Sequence, residues 1–255
     1  MKTFPTRVVA LTGALAISLG AAACSKSETP AASAPSASST ASTPAGSSSS
    51  TSAPASDAPE AADILSKAKA NALDATSGAF VGQVDQGGKT IKIDFKGTSD
   101  GKTADIAIDM EGDGKARVIS LPEGVYIQGD ATFWKKQGAP AAVQKAGGKF
   151  IKAPVSASSM TQSLSLKSFL EKAFGAVTPS QLSTDVASES VNGVDCWVLT
   201  DTKGKEEGAL YVSKDASQVV RFTGSTKSPG QLDFSKWNED LGITAPAKGE
   251  IMSVG

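Results

Sequence analysis

The chain has 255 residues, with 25 Lys plus Arg against 26 Asp plus Glu, two cysteines and no histidine. The lack of histidine removes Ser-His-Asp and Cys-His nucleophile systems and His-ligated metal sites, so neither catalysis nor an obligatory cofactor is expected. Balanced charge argues against a nucleic-acid binder, which carries a Lys and Arg surplus on one face, and two cysteines cannot make a disulfide scaffold.

Lys2 and Arg7 precede an uncharged apolar run, Val8 to Leu19, that closes on Gly20-Ala21-Ala22-Ala23-Cys24. A spanning helix needs about 20 apolar residues, and this run is shorter and opens directly into a polar tract, so residues 1–23 read as a signal peptide. Small residues immediately before a cysteine resemble the bacterial lipobox. That resemblance implies cleavage before Cys24 and acylation of its thiol, which anchors the chain to the extracytoplasmic face of the cell membrane. Two or three acyl chains at about 0.8 kcal/mol per buried methylene hold such an anchor stably. The other reading of the same residues is an Ala21-x-Ala23 site for ordinary signal peptidase, which gives a soluble secreted chain.

Ser25 to Pro59 is almost wholly Ser, Ala, Thr, Pro and Gly, with Lys26, Glu28 and Asp57 as its charges. Such a composition buries too little apolar surface to offset its ordering entropy, so residues 24–59 read as the lipidated cysteine and a disordered tether. As a flexible coil it reaches about 30–35 Å. Residues 60–255 remain as one globular domain.

Within that domain Ile64, Leu65, Ala68, Ala72 and Ala75 share one helical face, with Asp63 near the start and Gly78 beyond the end, predicting a helix over 61–75. Lys89 to Gly97 then alternates, with Ile91, Ile93 and Phe95 on one face. Ala104, Ile106, Ile108 and Met110 alternate likewise against Asp105 and Asp109. Asp100-Gly101, Gln86-Gly87-Gly88, Asp113-Gly114 and Pro122-Glu123-Gly124 mark turns, giving a meander over about Ala79 to Gln128 with its core to one side. Asp130 to Lys152 breaks the alternation, and Leu166, Phe169, Leu170, Ala173 and Phe174 predict a helix within Met160 to Phe174. Strands follow at Thr184 to Val191 and Val194 to Asp201, joined by Asn192-Gly193, and then at Gly208 to Ser213, Gln218 to Thr226 and Gln231 to Phe234. The economical architecture is α+β: one large curved antiparallel sheet with helices on its concave face.

This order of elements, together with Val125-Tyr126-Ile127-Gln128-Gly129-Asp130, Phe133-Trp134-Lys135-Lys136, Val191 to Leu199, Phe234-Ser235-Lys236-Trp237-Asn238 and Ile243-Thr244-Ala245-Pro246, resembles the actinobacterial LppX/LprG-type lipoproteins over Ala61 to Pro246. The resemblance implies a LolA-like half barrel whose sheet and helices enclose an apolar cavity for acyl chains of lipids or lipoglycans. It carries no short catalytic signature.

Gly97 to Thr103 mimics a phosphate loop but has three residues between its glycines where four are needed, and it joins two strands, so it reads as a hairpin turn. Ser99 and Lys102 match a Ser-x-x-Lys spacing in the same turn, with no Lys-Thr-Gly following. Asp94, Asp105 and Asp109 read as solvated sheet charges over a weak calcium site, and no metal site is expected. Lys135-Lys136 are surface lysines or contacts for anionic headgroups, and Cys196 is a buried inert thiol with Trp197 on the opposite face.

The preferred reading is a membrane-anchored extracytoplasmic lipoprotein that binds or carries amphiphilic lipids, as a monomer. Its cavity wall would comprise Ile91, Ile93, Phe95, Ile106, Ile108, Met110, Phe169, Leu170 and Phe174. The alternative is an envelope protein-interaction or chaperone-like module with a solid core, no lipid cargo and an envelope protein partner. Anchoring has its own test: Cys24→Ala is expected to shift the protein out of the membrane fraction, and unchanged fractionation refutes lipidation.

Overall fold

A computed structural model of the chain describes residues 58–153 and 165–252. The signal sequence, Cys24, nearly all of the tether and the first five residues of the predicted Met160–Phe174 helix lie outside the described residues. Among the described residues, no helix is long and apolar enough to cross a membrane.

Helix α1 (Ala61–Asp74) is followed by β1 (Ser77–Gln86), β2 (Lys89–Thr98), β3 (Ala104–Met110), β4 (Gly114–Leu121) and β5 (Gly124–Gly129). The short helices α2 (Ala131–Lys136) and α3 (Ala141–Gln144), strand β6 (Ile151–Ala153) and helix α4 (Leu166–Gly175) come next. The chain then forms β7 (Ala187–Val191), β8 (Val194–Asp201), β9 (Gly204–Ser213), β10 (Val219–Ser225) and β11 (Ser228–Ser235). These strands make one 11-stranded antiparallel sheet in the order β6-β5-β4-β3-β2-β1-β11-β10-β9-β8-β7. The sheet is curved and does not close, which is the α+β half-barrel class expected from the sequence. Its two meanders meet at the centre, where β1 pairs with β11 from Ala79↔Ser235 to Val84↔Gly230.

Turn chemistry fixes the hairpins. Gly87 and Gly88 have φ of 60° and 77°, and Asn192 and Gly193 have φ of 52° and 81°. Both central residues of a tight type I′ turn need positive φ, and Gly and Asn reach it at least cost. Ser165 caps α4, its Oγ accepting from Ser168 N at 3.1 Å. Several boundaries differ from expectation. The segment before β7 is tied up first, by a short 3-10 turn at Pro179–Gln181 and an isolated Leu182↔Asp201 bridge, so the strand starts at Ala187 instead of Thr184. Strand β9 starts at Gly204 because Asp201 Oδ1 accepts from Lys203 N and turns the chain early. A stretch read as unbroken non-strand ends in β6, which pairs with β5 through Val125↔Ala153.

The main core lies between α1, α4 and one face of the sheet, called here the inner face. The buried side chains of α1 are Ala61, Ile64, Leu65, Ala68 and Ala72, and those of α4 are Leu166, Leu170 and Phe174. They meet Phe80, Phe95, Ile106, Leu210, Leu232 and Phe234 of the sheet. Phe80 is the hub: its ring lies 4.8 Å from Phe95, 4.5 Å from Phe169 and 5.3 Å from Phe234. The outer face is not simply solvated. Val191, Cys196, Val198, Ala209, Tyr211 and Val220 form one buried cluster there. Ile119, Tyr126 and Phe150 form another, with Ile243 and Ile251 packed on it. The residues after β11 thus return across the outer face as a strap, held where Phe150 N donates to Glu250 O at 2.8 Å and Met252 N to Phe150 O at 2.7 Å.

Truncating the hub removes stacking on three rings and leaves a cavity, so Phe80→Ala is expected to lower stability by about 3–5 kcal/mol in urea denaturation. Val81→Ala, on the neighbouring exposed position, is expected to stay within about 0.5 kcal/mol of wild type.

Candidate functional site

Strand register arranges the inner face in rows that run across the strands. One row is Phe80, Phe95, Ile106, Val118, Ile127 and Ile151. The next is Gly82, Ile93, Ile108, Ala116 and Gly129, and the one after it Val84, Ile91, Met110 and Gly114. Helices α1 and α4 cover only part of this field. Phe80, Phe95 and Ile106 are buried beneath them, whereas Val84, Ile91, Ile93, Ile108, Met110, Val118, Ile127 and Ile151 are only half-buried. A contiguous run of partly exposed large apolar side chains on one face marks an interaction surface more than it marks a finished core.

The proposed wall residues therefore divide. Phe95, Ile106, Leu170 and Phe174 are core residues of the helix–sheet interface. Ile93, Ile108 and Phe169 pack against that core while keeping some exposure, and Ile91 and Met110 lie beyond it toward the β1–β2 and β3–β4 turns. The interface itself is filled by rings: Phe174 on Phe222 at 5.6 Å, Phe222 on Phe234 at 5.6 Å, and Phe234 stacked on Trp237 at 5.8 Å.

Helix α2 borders the apolar rows at the β5 end. Asp130 fixes its start, accepting from Phe133 N at 2.7 Å through one oxygen and from Lys115 N at 3.0 Å through the other. Phe133 and Trp134 then rest on Gly129, since a Cβ there would clash with Phe133 Cδ1 and lie 3.0 Å from Trp134 Nε1. Gly129 belongs to the Ile108 row, so the two rings lie over the inner face. Trp134 Nε1 is buried without a hydrogen-bond partner among the described residues, a state that costs about 1–3 kcal/mol. At the rim, Asp113 binds Lys89 at 2.7 Å and Lys136 at 3.0 Å. Those two bonds hold the Asp113 carboxyl below the ordinary carboxylate range. Lys136 is thus committed to a carboxylate, and Lys135 is exposed. Sequence pattern exposed the strand rows but gave no sign of the Trp134 site, because it depends on the pairing that puts Gly129 beneath the indole.

The other candidate residues have structural partners. Asp105 receives both Nε and Nη2 of Arg117, at 2.8 and 2.7 Å, and the guanidinium's basicity is raised by that bond. Asp109 binds Lys115 at 3.0 Å. Cys196 is fully buried in the outer cluster, where desolvation pushes its thiol pKa up. On the outer face a groove of about 820 Å³ crosses β2 to β5, lined by the polar side chains of Lys92, Asp94, Asp109, Lys115, Arg117 and Gln128 together with Ile93, Ala107, Ile108 and Ala116, and by Gly147 and Gly148. In the phosphate-loop look-alike, Asp100 Oδ1 accepts from Lys102 N at 3.0 Å and from Thr98 Oγ1 at 2.8 Å. The turn's other backbone donors are spent within the fold, Ser99 N on Thr76 O and Gly101 N on Thr98 O.

No family model matches the sequence, and no curated protein matches it. Among solved structures the chain is similar to the lipoprotein LppX of Mycobacterium tuberculosis, at 12% identity over 72% of this chain and 97% of that one, with a TM-score of 0.42. It is similar to LprF of Mycobacterium bovis at 13% identity over 74% of this chain and 98% of that one, TM-score 0.46. In layout the chain resembles these lipoproteins. The MucA/MucB complex of Pseudomonas aeruginosa is a weaker match, at 15% identity over 74% of this chain and 59% of that one, TM-score 0.27. These are likenesses of layout.

The β2–β3 turn yields a pH prediction. The Lys102 backbone N–H, followed by the Lys102 and Thr98 side chains, lowers the Asp100 pKa to about 2. A depressed carboxylate stabilises the fold above its ordinary pKa of 3.8, and that contribution is lost as pH falls toward about 2. Carboxyl NMR titration of Asp100 is expected to give a midpoint near that value, and Thr98→Val is expected to raise it.

Proposed function

We propose that the chain is a membrane-anchored extracytoplasmic lipoprotein that binds or carries an amphiphilic lipid, with the acyl portion lying against the uncovered part of the inner face. The observation that carries this reading is the run of half-buried apolar side chains, Val84, Ile91, Ile93, Ile108, Met110, Val118 and Ile127, on one face of a curved sheet. About ten methylenes of an acyl chain placed there contribute roughly 8 kcal/mol before ordering costs. Binding of this kind needs burial and no reacting group. A lipid on the lipobox-like Cys24, with the tether behind it, would keep the domain within reach of a bilayer, where such ligands reside.

One observation favours a second reading. The helix–sheet interface is filled by the Phe80, Phe95, Phe169 and Phe234 rings, while the outer groove is lined in part by charged side chains. A domain built in this way is also suited to an envelope protein partner on its outer face.

Native mass spectrometry of the full chain from a lipidating host separates the two. The expected result is a covalent mass at Cys24 plus a releasable lipid that survives Val81→Lys, on the outer face, but falls at least tenfold in Ile108→Lys. A lipidated chain that retains no cargo, and takes up none when titrated with phospholipid, overturns lipid carriage and favours the second reading.

A further inference from the structure

The row Ile93, Ile108, Ala116, Gly129 ends against a polar atom that no group among the described residues satisfies. Trp134 Nε1 is buried and unpaired, and it sits 3.0 Å from the position a Cβ would take on Gly129. An indole nitrogen can only donate, so what it lacks is an acceptor. The indole does not reach this place by chance of a loose side chain. Asp130 caps the helix that carries it, and its ring meets Phe133 edge-on at 5.1 Å and 68°. Any residue larger than glycine at 129 would displace both rings. The donor is therefore held over the β5 end of the apolar face.

Building on the lipid-binding reading above, we propose that Trp134 Nε1 donates a hydrogen bond to the ester carbonyl of an acylated lipid whose chain lies along this row. The site selects esterified acyl lipids over free fatty acids. The selection follows from charge. A carboxylate buried at the indole would need a counter-cation, because an uncompensated buried charge is strongly disfavoured. The nearest lysines in sequence do not supply one: Lys136 is bound to Asp113 at the rim, and Lys135 is exposed. An ester carbonyl is neutral and is satisfied by one donor. The hydrogen bond would also fix how far the chain slides along the row, since apolar contact alone is non-directional.

The test is a competition read by native mass spectrometry on the full chain in mild detergent. Equal amounts of 1-palmitoylglycerol, 1-O-hexadecylglycerol and palmitic acid are offered to wild type and to Trp134→Phe, which keeps an aromatic ring but has no donor. Wild type is expected to retain the ester over the ether and the free acid by about fivefold to tenfold, the range of one net hydrogen bond. Trp134→Phe is expected to bind ester and ether alike. Equal retention of ester and ether by wild type, or an unchanged preference in Trp134→Phe, overturns the proposal and leaves lipid binding standing. Retention of none of the three by wild type overturns the lipid reading itself. Indole ¹⁵N NMR of wild type gives a check that does not depend on the variant folding: the Trp134 N–H resonance is expected to move downfield with the ester and to stay in place with the ether. A resonance that moves equally with both overturns the proposal.

Discussion

Phe80 stands where the two halves of the sheet and the covering helix α4 meet. Its ring stacks on Phe95 of β2 and Phe169 of α4 and tilts against Phe234 of β11. Because β1 pairs with β2 on one side and β11 on the other, these contacts sit on the central seam of the sheet. They decide where α4 can lie. A helix anchored there seals Phe80, Phe95 and Ile106, and in the same row Val118, Ile127 and Ile151 are half-buried.

The same anchoring accounts for the two characters of the inner face. Near the seam, rings and leucines fill the space at close quarters, as protein interiors do. Ile91, Met110, Val118 and Ile127 keep the strand alternation but are only half-buried. Dispersion contacts left unmade there are available to a ligand. On the outer face, alternation would have left a polar surface. Instead Phe150, Ile243 and Ile251 fold back over Ile119 and Tyr126, and Arg117 approaches the Phe150 ring at 5.8 Å from its centroid.

What the sequence made legible was local. The period of Ile64, Leu65, Ala68 and Ala72, the alternation from Ile91 to Met110, and the Asn192-Gly193 turn each depend on neighbours in the chain, and each sits in the structure where its pattern places it. The α+β class followed from those pieces. Long-range features were not legible. That Phe95 and Ile106 are sealed while Ile91 and Met110 are not depends on where α4 docks, and strand alternation treats all four alike. The outer clusters depend on a return of the chain from beyond β11, and the Trp134 site depends on a pairing that brings a glycine beneath an indole. Lys136 had no visible partner in sequence because Asp113, which it binds, lies in the β3–β4 turn.

The pairing of β1 with β11 has a consequence for how the domain is made. The first and last strands of the sheet are neighbours at its centre, separated in sequence by nearly the whole domain. Each meander can form from local hairpins as the chain is synthesised. Neither can be joined to the other until the final strand is available, and the strap closes later still. Assembly is therefore completed only by the C-terminal end of the chain, with the long-range closure that slows folding left to the last step. A domain arranged in this way stays unfinished, with both halves of its central seam unpaired, until its last strand arrives.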